Sequence, residues 1–243
     1  MKKAVVVTTS WDDGHCLDVR LAELLKKYQL RGTFYIAPQD WEIEPRQRLN
    51  LQQLLNLSRD FEIGGHTLTH QNNLTLLNDR ELRQEIVQGK KNLEQIIAKK
   101  VEIFSYTRGI YDKRVVGALR NLGFVGARTI RPFVTDFPKN DFEIGVTIQV
   151  NPIFNVFRNA KIALRNNPKL VLAVIGRNWV EIAKQTFSVV LKSGGVWHLW
   201  GHSWEIEQYQ LWGQLEEIFG YISQRSAVKY LNNGELIKKD EKY

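Results

Sequence analysis

The stretch VVVTTSWDDGH, residues 5 to 15, places an acidic pair and a histidine directly after a strand-like segment. Its first six residues carry no charge and are mostly β-branched, which is typical of a strand buried on both faces of a parallel sheet. Adjacent carboxylates repel each other when they are buried without compensation. The segment is therefore either a solvated turn, which Asp, Gly and Ser often form, or part of a site that needs the charge.

Strand-like and helix-like segments alternate along the rest of the chain. After the first strand, further strands are predicted at residues 31–37, 61–66, 101–106, 123–130, 143–150, 194–202 and 227–231. Helices are predicted at residues 17–28, 78–97, 115–122, 180–191 and 211–222, the second of them beginning with an Asn78–Glu81 capping box. Repeated alternation of this kind predicts an α/β protein with a parallel sheet.

The number of units favours a closed or nearly closed barrel, although periodicity alone does not separate a barrel from an open sheet. No internal repeat or Pro/Gly-rich linker divides the chain, so we expect one domain over residues 1–243. The specific prediction is a distorted (β/α) barrel of about seven strands, similar to a TIM barrel. Its site would lie at the carboxyl ends of the strands.

Composition excludes several classes of protein. The chain has 243 residues, 43% of them hydrophobic and 25% charged, as expected for a globular protein with a sizeable core. Its net charge of +8 is spread along the chain without a basic stripe interleaved with aromatics, so no nucleic-acid partner is expected. Cys16 is the only cysteine, which excludes an intrachain disulfide and a thiolate metal cluster.

Hydrophobic stretches are short throughout the chain. The amino-terminal run AVVV is too short for the core of a signal peptide, and no stretch has the length of a membrane-spanning helix. We therefore expect a cytoplasmic protein without a membrane span, unless an export leader has been removed. The sequence leaves the oligomeric state open.

All five histidines follow or end predicted strands. His15 follows the first strand, two lie in HTLTH at residues 66–70, and two lie in WHLWGH at residues 197–202. His66 and His70 are spaced i, i+4, which predicts two imidazoles on one side of a helical turn, as a two-histidine metal site requires. The position after His66 is Thr67 rather than the Glu of a zinc protease, so a base must come from elsewhere.

The acidic pair, Asp12 and Asp13, can supply the third metal ligand and the general base that His66 and His70 do not provide. One carboxylate would complete a His, His, Asp metal set, and the other would accept a proton from the attacking water. Three protein ligands and one open position are the pattern of catalytic rather than structural metal sites.

Several motifs together resemble the polysaccharide deacetylases, the NodB-homology domains of carbohydrate esterase family 4. SWDDGH resembles the first motif of that family, usually written TFDDG, and HTLTH resembles its second, H-(S/T)-x-x-H. RGTFYI is similar to the family's second strand, FSYTRG occupies the place of the third motif, and WGHSWE occupies the place of the last. The resemblance covers most of the chain, is strong to about residue 125, and is thin from there to His198.

The resemblance implies roles for the acidic pair and the first histidine motif. Asp12 matches the catalytic base, and Asp13, His66 and His70 match the ligands of one divalent metal ion. Zinc is the default, and cobalt, nickel or manganese also suit imidazole and carboxylate ligands.

The general acid would come from the last motif. His202 matches the histidine that serves as general acid in the family. His198 lies on the same strand face, at period two, and competes for that role or for a substrate contact. His15 is expected to pack beside the site or to hydrogen-bond an aspartate.

The third and fourth motifs depart from the family pattern. The position of the arginine that orients the catalytic aspartate holds Ser105, and no Asp-Trp pair is recognisable. Arg108 or Arg128 could supply the missing guanidinium. The position of Arg108 also matches a residue whose backbone N–H serves the oxyanion.

Trp11, Trp200 and Trp204 flank the predicted site. An indole face suits a sugar ring, whereas a tryptophan at a strand end is more often part of the core. Of these, Trp11 and Trp204, together with His198, are the predicted substrate contacts.

The resemblance implies a metal-dependent hydrolase that removes N-acetyl groups from a carbohydrate, with a water activated by the metal, an Asp base and a His acid. Two alternatives stay open. One is another C–N hydrolase, acting on a small cyclic amide or a formamide. The other is a non-catalytic carbohydrate-binding domain of the same fold.

Overall fold

The structure is a computed structural model that describes residues 4–152, 156–175 and 178–238. The strands are β1 (Val5–Asp13), β2 (Thr33–Ile36), β3 (Glu62–Gly65), β4 (Ile103–Ser105), β5 (Gly126–Arg128), β6 (Ile148–Gln149), β7 (Gly195–Gly201) and β8 (Lys229–Tyr230). The α-helices are α1 (Asp18–Lys27), α2 (Leu51–Asp60), α3 (Asp79–Ile97), α4 (Lys113–Asn121), α5 (Val156–Asn166), α6 (Val171–Val174), α7 (Trp179–Ser193), α8 (Ser203–Gln208), α9 (Trp212–Ile222) and α10 (Asn233–Ile237).

The strands form one parallel sheet in the order β5-β4-β3-β2-β1-β7-β6, and β8 pairs with β1. Hydrogen bonds from Ile144 N to Ala127 O (3.0 Å) and from Thr129 N to Ile144 O (2.8 Å) connect β5 to the segment before β6. Because that segment continues into β6, the sheet curves round on itself. The predicted α/β class and distorted barrel are confirmed.

The side chains of β1 alternate between two apolar layers, as the period of a strand requires. Val5, Val7 and Trp11 pack in the large cluster between the sheet and the helices. Val6 points to the other face, where it packs with Tyr35 and other residues of a small apolar cluster inside the barrel. This alternation also directs Asp12 to the inner face.

The longest helix begins as the sequence predicts. The Asn78 side chain accepts a hydrogen bond from Glu81 N (3.0 Å), and Glu81 Oε2 accepts one from Asn78 N (3.1 Å). This capping box satisfies backbone N–H groups that the first turn of a helix leaves unpaired. Leu82, Ile86 and Leu93 then form the buried face of α3. Among the described residues, no helix is both long and apolar enough to span a bilayer.

Candidate active site

Sheet register brings the predicted metal ligands to one level. Asp13 pairs with Ile36 of β2, and Ile36 pairs with Gly65 of β3, so His66 leaves the sheet beside Asp13. Asp13 has a left-handed backbone with φ 83°, which interrupts the alternation of β1. The interruption lets Asp12 and Asp13 both face the site, since regular alternation would have sent them to opposite faces.

Three buried side chains converge on one point. Asp13 Oδ1 lies 3.6 Å from His66 Nε2 and 3.5 Å from His70 Nε2. The three potential ligand atoms lie within 4.8 Å of one another, which matches the first shell of a divalent ion. Burial lowers the pKa of His66 to about 4, so its imidazole is neutral at neutral pH. A neutral imidazole has the lone pair that a metal requires.

The outer ring nitrogens of His66 and His70 each lie close to an oxygen atom. His66 Nδ1 lies 2.8 Å from Ser105 O, and His70 Nδ1 lies 3.0 Å from Glu42 Oε2. Partners of this kind fix the ring orientation of metal-binding histidines and leave Nε2 directed at the ion. The donor set and its supports therefore fit a divalent metal.

The helical turn predicted for the two histidines is wrong. His66 directly follows β3, and both Thr67 (φ 68°) and His70 (φ 61°) have left-handed backbones, which no α-helix contains. Glu85 of α3 holds the loop, because its carboxylate accepts hydrogen bonds from Thr69 N (3.1 Å) and Thr69 Oγ1 (3.0 Å). This loop, rather than a helical turn, brings the two imidazoles together.

Arg128 is the guanidinium that reaches Asp12. It is fully buried on β5, pairs with Asp12 Oδ2, and donates a hydrogen bond to Ser105 Oγ (2.6 Å). Ser105 is small enough to leave room for this side chain. The arginine that the third motif lacks on β4 is therefore supplied from the neighbouring strand β5.

Arg108 has a different position. Its side chain is half exposed and contacts Glu42 Oε1 (2.5 Å) and Asn72 Oδ1 (3.0 Å). Since Glu42 also contacts His70, Arg108 supports a metal-ligand loop rather than Asp12. Its backbone has φ 54°, in a short turn that follows β4.

His202 lies at the site with an acidic partner on each side. Its Nδ1 lies 2.6 Å from Glu205 Oε2, and its Nε2 lies 3.9 Å from Asp13 Oδ2. Burial alone would lower the pKa of His202, but attraction to Asp13 and the hydrogen bond to Glu205 outweigh it and raise the pKa to about 9. Trp204 is also at the site, where Nε1 donates to Asp13 Oδ2 (2.8 Å).

Asp13 is held ionised by these neighbours. Burial would raise the pKa of its carboxyl, but attraction to His202, His66 and His70 and the hydrogen bond from Trp204 together lower it below the ordinary value. An ionised carboxylate is the form that binds a cation.

The structure does not bring His198 or Trp11 to the site, which corrects both predictions. His198 is fully buried between Ser10 Oγ (2.9 Å) and Gly145 O (3.0 Å), and burial with the nearby Arg128 charge lowers its pKa to about 3. Trp11 points outward and packs edge-on against Phe219 in the core. His202, not His198, is the histidine that can act as an acid.

His15 packs beside the site without contacting an aspartate. Its Nδ1 accepts a hydrogen bond from Leu17 N (3.2 Å), and its backbone bridges to Arg48. Burial lowers the pKa of His15, against the attraction of Asp13.

Comparison with known proteins places this geometry in a family. The family model described as polysaccharide deacetylase matches residues 1–127, which contain Asp12, Asp13, His66 and His70. The chain belongs to the polysaccharide deacetylase family. Among curated proteins, the comparison finds no match.

Several solved structures share the deacetylase fold. The chitin deacetylase from the fungal pathogen Colletotrichum lindemuthianum is 16% identical, with a TM-score of 0.64 over 98% of this chain and 89% of that one. The Xyl-CE4 domain of a multidomain xylanase from the hindgut metagenome of Trinervitermes trinervoides is 14% identical, with a TM-score of 0.60 over 98% of this chain and 91% of that one. A CE4-family pseudoenzyme from Bacillus anthracis is 16% identical, with a TM-score of 0.57 over 96% of this chain and 65% of that one.

Sequence reasoning missed two carboxylates of this candidate site. Glu205 follows His202 by three residues at the start of α8, a spacing that places two side chains on one helical face. That signal was available in the sequence. Glu42 lies in the loop after β2, and nothing in its local sequence indicates that it reaches His70.

A cleft of about 490 Å³ lies beside the candidate site. Its wall includes Trp200, whose ring lies 5.5 Å from that of His202, and Gln149, whose amide donates to Glu205 Oε2 (3.3 Å). Phe133 and Ile162 also line it, so the cleft combines apolar surface with a few amide groups. Such a lining is typical of small-molecule sites.

Proposed function

We propose that this deacetylase-family protein is a metal-dependent hydrolase that removes N-acetyl groups from a carbohydrate. One observation carries the proposal: a complete Asp13, His66 and His70 ligand set lies beside a separate carboxylate, Asp12, and a separate acid, His202. Hydrolysis of an amide by metal-activated water uses a metal site, a general base and a general acid.

Asp13, His66 and His70 would hold the divalent ion. When bound, the metal supplies Lewis-acid polarisation of the amide carbonyl and lowers the pKa of water. Zinc is the default ion, because neutral imidazole and carboxylate are its usual ligands, and cobalt, nickel and manganese accept the same donors. The hydrogen bond that His66 Nδ1 donates to Ser105 O, and the contact of His70 Nδ1 with the Glu42 carboxylate, would keep both rings in place.

Asp12 would take the proton from the attacking water. Its Oδ2 is engaged by Arg128, whereas its Oδ1 is buried with no hydrogen-bond partner among the described residues. A free carboxylate oxygen beside the ligand set is available to accept a proton. The guanidinium of Arg128 offsets the charge of the base and fixes its orientation.

His202 would donate a proton to the departing amine. Its raised pKa of about 9 keeps the imidazole protonated at neutral pH, as a general acid requires. Glu205 orients the ring through Nδ1 and leaves Nε2 directed into the site. We assign the developing oxyanion to the backbone N–H of Arg108, supported by its place in the turn after β4.

The sugar would bind across Trp204 and into the cleft beside Trp200. The Trp204 indole reaches Asp13, so any group bound on its exposed surface is adjacent to the ligand set. The cleft has room for a second ring next to the one that carries the acetyl group.

Acetate release from a panel of N-acetylated glycans tests the proposal directly. The protein is stripped with a chelator, reloaded with zinc, cobalt, nickel or manganese, and assayed beside Asp12→Asn. We expect turnover that depends on added metal and is lost in the variant.

The alternatives give different results in the same assay. Turnover confined to formamides or small cyclic amides would identify another C–N hydrolase. Glycan binding without turnover, with metal bound, would identify a non-catalytic binding domain. Either outcome would overturn the proposed N-deacetylation.

A further inference from the structure

Helices α5 and α6 carry large apolar side chains on the outer surface of the protein. Phe157 is 88% exposed, Leu164 is 62% exposed and Leu172 is 82% exposed. A single exposed apolar residue needs no explanation, but concentration on two helices that pack against each other indicates a surface with a partner. Ile175, directly after α6, is exposed as well.

Spacing places the exposed residues of α5 on one side. Phe157, Lys161, Leu164 and Arg165 follow one another at i, i+4, i+7 and i+8, and all four are exposed. Ala163 on the opposite side is fully buried. One side of α5 therefore packs against the core. Its other side is exposed and carries both large apolar groups and cations.

The charged residues of this segment itself all have one sign, although Asp136 and Glu143 of an earlier segment line a pocket together with Arg165. The chain contains no Asp or Glu between Glu143 and Glu181. The exposed basic residues of α5 and of the turn before α6 are Arg158, Lys161, Arg165 and Lys169. We call the exposed apolar and basic residues of residues 157–175 the α5–α6 face.

We propose that the α5–α6 face binds the surface of an anionic lipid bilayer. Phe157, Leu164 and Leu172 would insert among the headgroups and upper acyl chains, and the neighbouring lysines and arginines would contact the anionic headgroups. Large apolar groups next to cations on one helix side are the features that interfacial helices use.

Charge disfavours the other occupants. A second copy docked face to face would oppose like charges, which costs free energy at an interface. A nucleic acid would use the cations but not the exposed phenylalanine and leucines, whose burial drives insertion into lipid.

Contact with a bilayer would also bring the cleft near the lipid surface. Arg158, Asn159 and Ile162 of α5 line the same cleft that borders Trp200. The helix that binds lipid would therefore be a wall of the space beside the catalytic centre.

Flotation with lipid vesicles tests the proposal without any measurement of turnover. The protein is mixed with vesicles of phosphatidylcholine alone, or of phosphatidylcholine with phosphatidylglycerol. We expect binding to the anionic vesicles only. Lys161→Gln and Lys169→Gln should each lower the partition coefficient about fivefold. Phe157→Ser with Leu164→Ser should lower it by about tenfold or more, because apolar burial is lost.

Matched substitutions elsewhere control for general loss of charge or apolar surface. Leu51→Ser on α2 removes a leucine that is 68% exposed, and Lys91→Gln on α3 removes an exposed lysine. Both should leave vesicle binding unchanged, and circular dichroism should show all variants folded. Equal losses in these controls would overturn the proposal.

Three further results would also overturn it. The first is a wild-type protein that ignores anionic vesicles. The second is a concentration-dependent dimer, seen by light scattering, that the Phe157 and Leu164 changes abolish. The third is binding to a double-stranded DNA probe that those changes leave intact and that competes with the vesicles. Because no substrate is involved, each result is independent of the proposed deacetylation.

Discussion

Asp12 and Arg128 pair their side chains inside the barrel although 116 positions separate them in the sequence. β1 and β5 are not neighbours in the sheet, so the pair spans the interior rather than one strand ladder. The Arg128 guanidinium also stacks over the Trp200 ring, 4.8 Å from its centroid. Asp12, Arg128 and the Trp200 ring therefore form one buried unit.

Removal of Arg128 should impair both the base and the fold. Arg128→Met leaves the buried Asp12 carboxylate without its charge partner, which typically costs about 3–5 kcal/mol of unfolding free energy. Asp12 also loses the contact that fixes its orientation, so kcat/KM should fall. Denaturation curves and kcat/KM at neutral pH measure the two effects.

Two companion variants decide between the arginines. Arg128→Lys keeps the charge and should restore folding while turnover stays low, since an ammonium cannot reproduce the planar contacts to Asp12 and Ser105. Arg108→Gln removes a half-exposed side chain and should lower kcat/KM much less than Arg128→Met does. A larger loss of kcat/KM in Arg108→Gln than in Arg128→Met would show that the orienting arginine is Arg108.

The two neighbouring aspartates should respond differently to the same substitution. Asp12→Asn should retain stoichiometric metal and lose turnover by roughly 10²–10⁴-fold, as expected for loss of a general base. Asp13→Asn removes a ligand and should weaken metal binding first, with partial rescue of turnover by excess metal. Bound metal and amide hydrolysis are measured side by side, with His66→Ala as a variant expected to abolish metal binding. Loss of metal from Asp12→Asn, with retention in Asp13→Asn, would reverse the assignment.

Glu205→Gln should change the pH range in which the protein is active more than it changes the maximum rate. Glu205 contributes to the raised pKa of His202, so its neutral replacement lowers that pKa from about 9. His202 must be protonated to act as the acid. In the variant it loses its proton at a lower pH than in the wild type. The alkaline limb of the rate profile should move toward neutrality.

Glu207→Gln is the matched control for that change. Glu207 lies two residues further along α8 and pairs with Arg20 at the surface, with half of its side chain exposed. An alkaline limb that stays fixed in Glu205→Gln, or moves equally in both variants, would contradict the role given to Glu205.

Local patterns predicted the barrel and most of the site, because both depend on short-range signals. The uncharged run of β1, the capping box of α3 and the histidines at strand ends are all visible within a few residues. The orienting arginine was left open between Arg108 and Arg128, because the choice depends on which strands face each other across the barrel. The burial of Trp11 in the core was missed, although the alternation of β1 already directs its side chain away from that of Asp12.

Asp18 offers a test of burial energetics beneath the site. It is fully buried at the start of α1, and neither carboxylate oxygen makes a hydrogen bond within the described residues. Burial raises its pKa well above the ordinary 3.8, against the opposing effect of the nearby Ser203 hydroxyl. The folded protein therefore holds this proton to higher pH than the unfolded chain does.

The wild type should lose stability as pH rises because of Asp18, and Asp18→Asn should remove that loss. Above pH 3.8 the folded wild type binds more protons than the unfolded chain does. Its unfolding free energy therefore falls as pH rises from 3.8 toward the raised pKa of Asp18, by at most about 1.4 kcal/mol per pH unit. An amide does not titrate, so the Tm of the variant relative to the wild type should increase between acidic and neutral pH in metal-free protein. The other titratable groups are the same in both proteins, and their contributions largely cancel in this difference. Asp60→Asn, at an exposed ion pair with Lys26, should show no such increase. A Tm difference for Asp18→Asn that stays constant with pH would show that Asp18 is ionised in the fold.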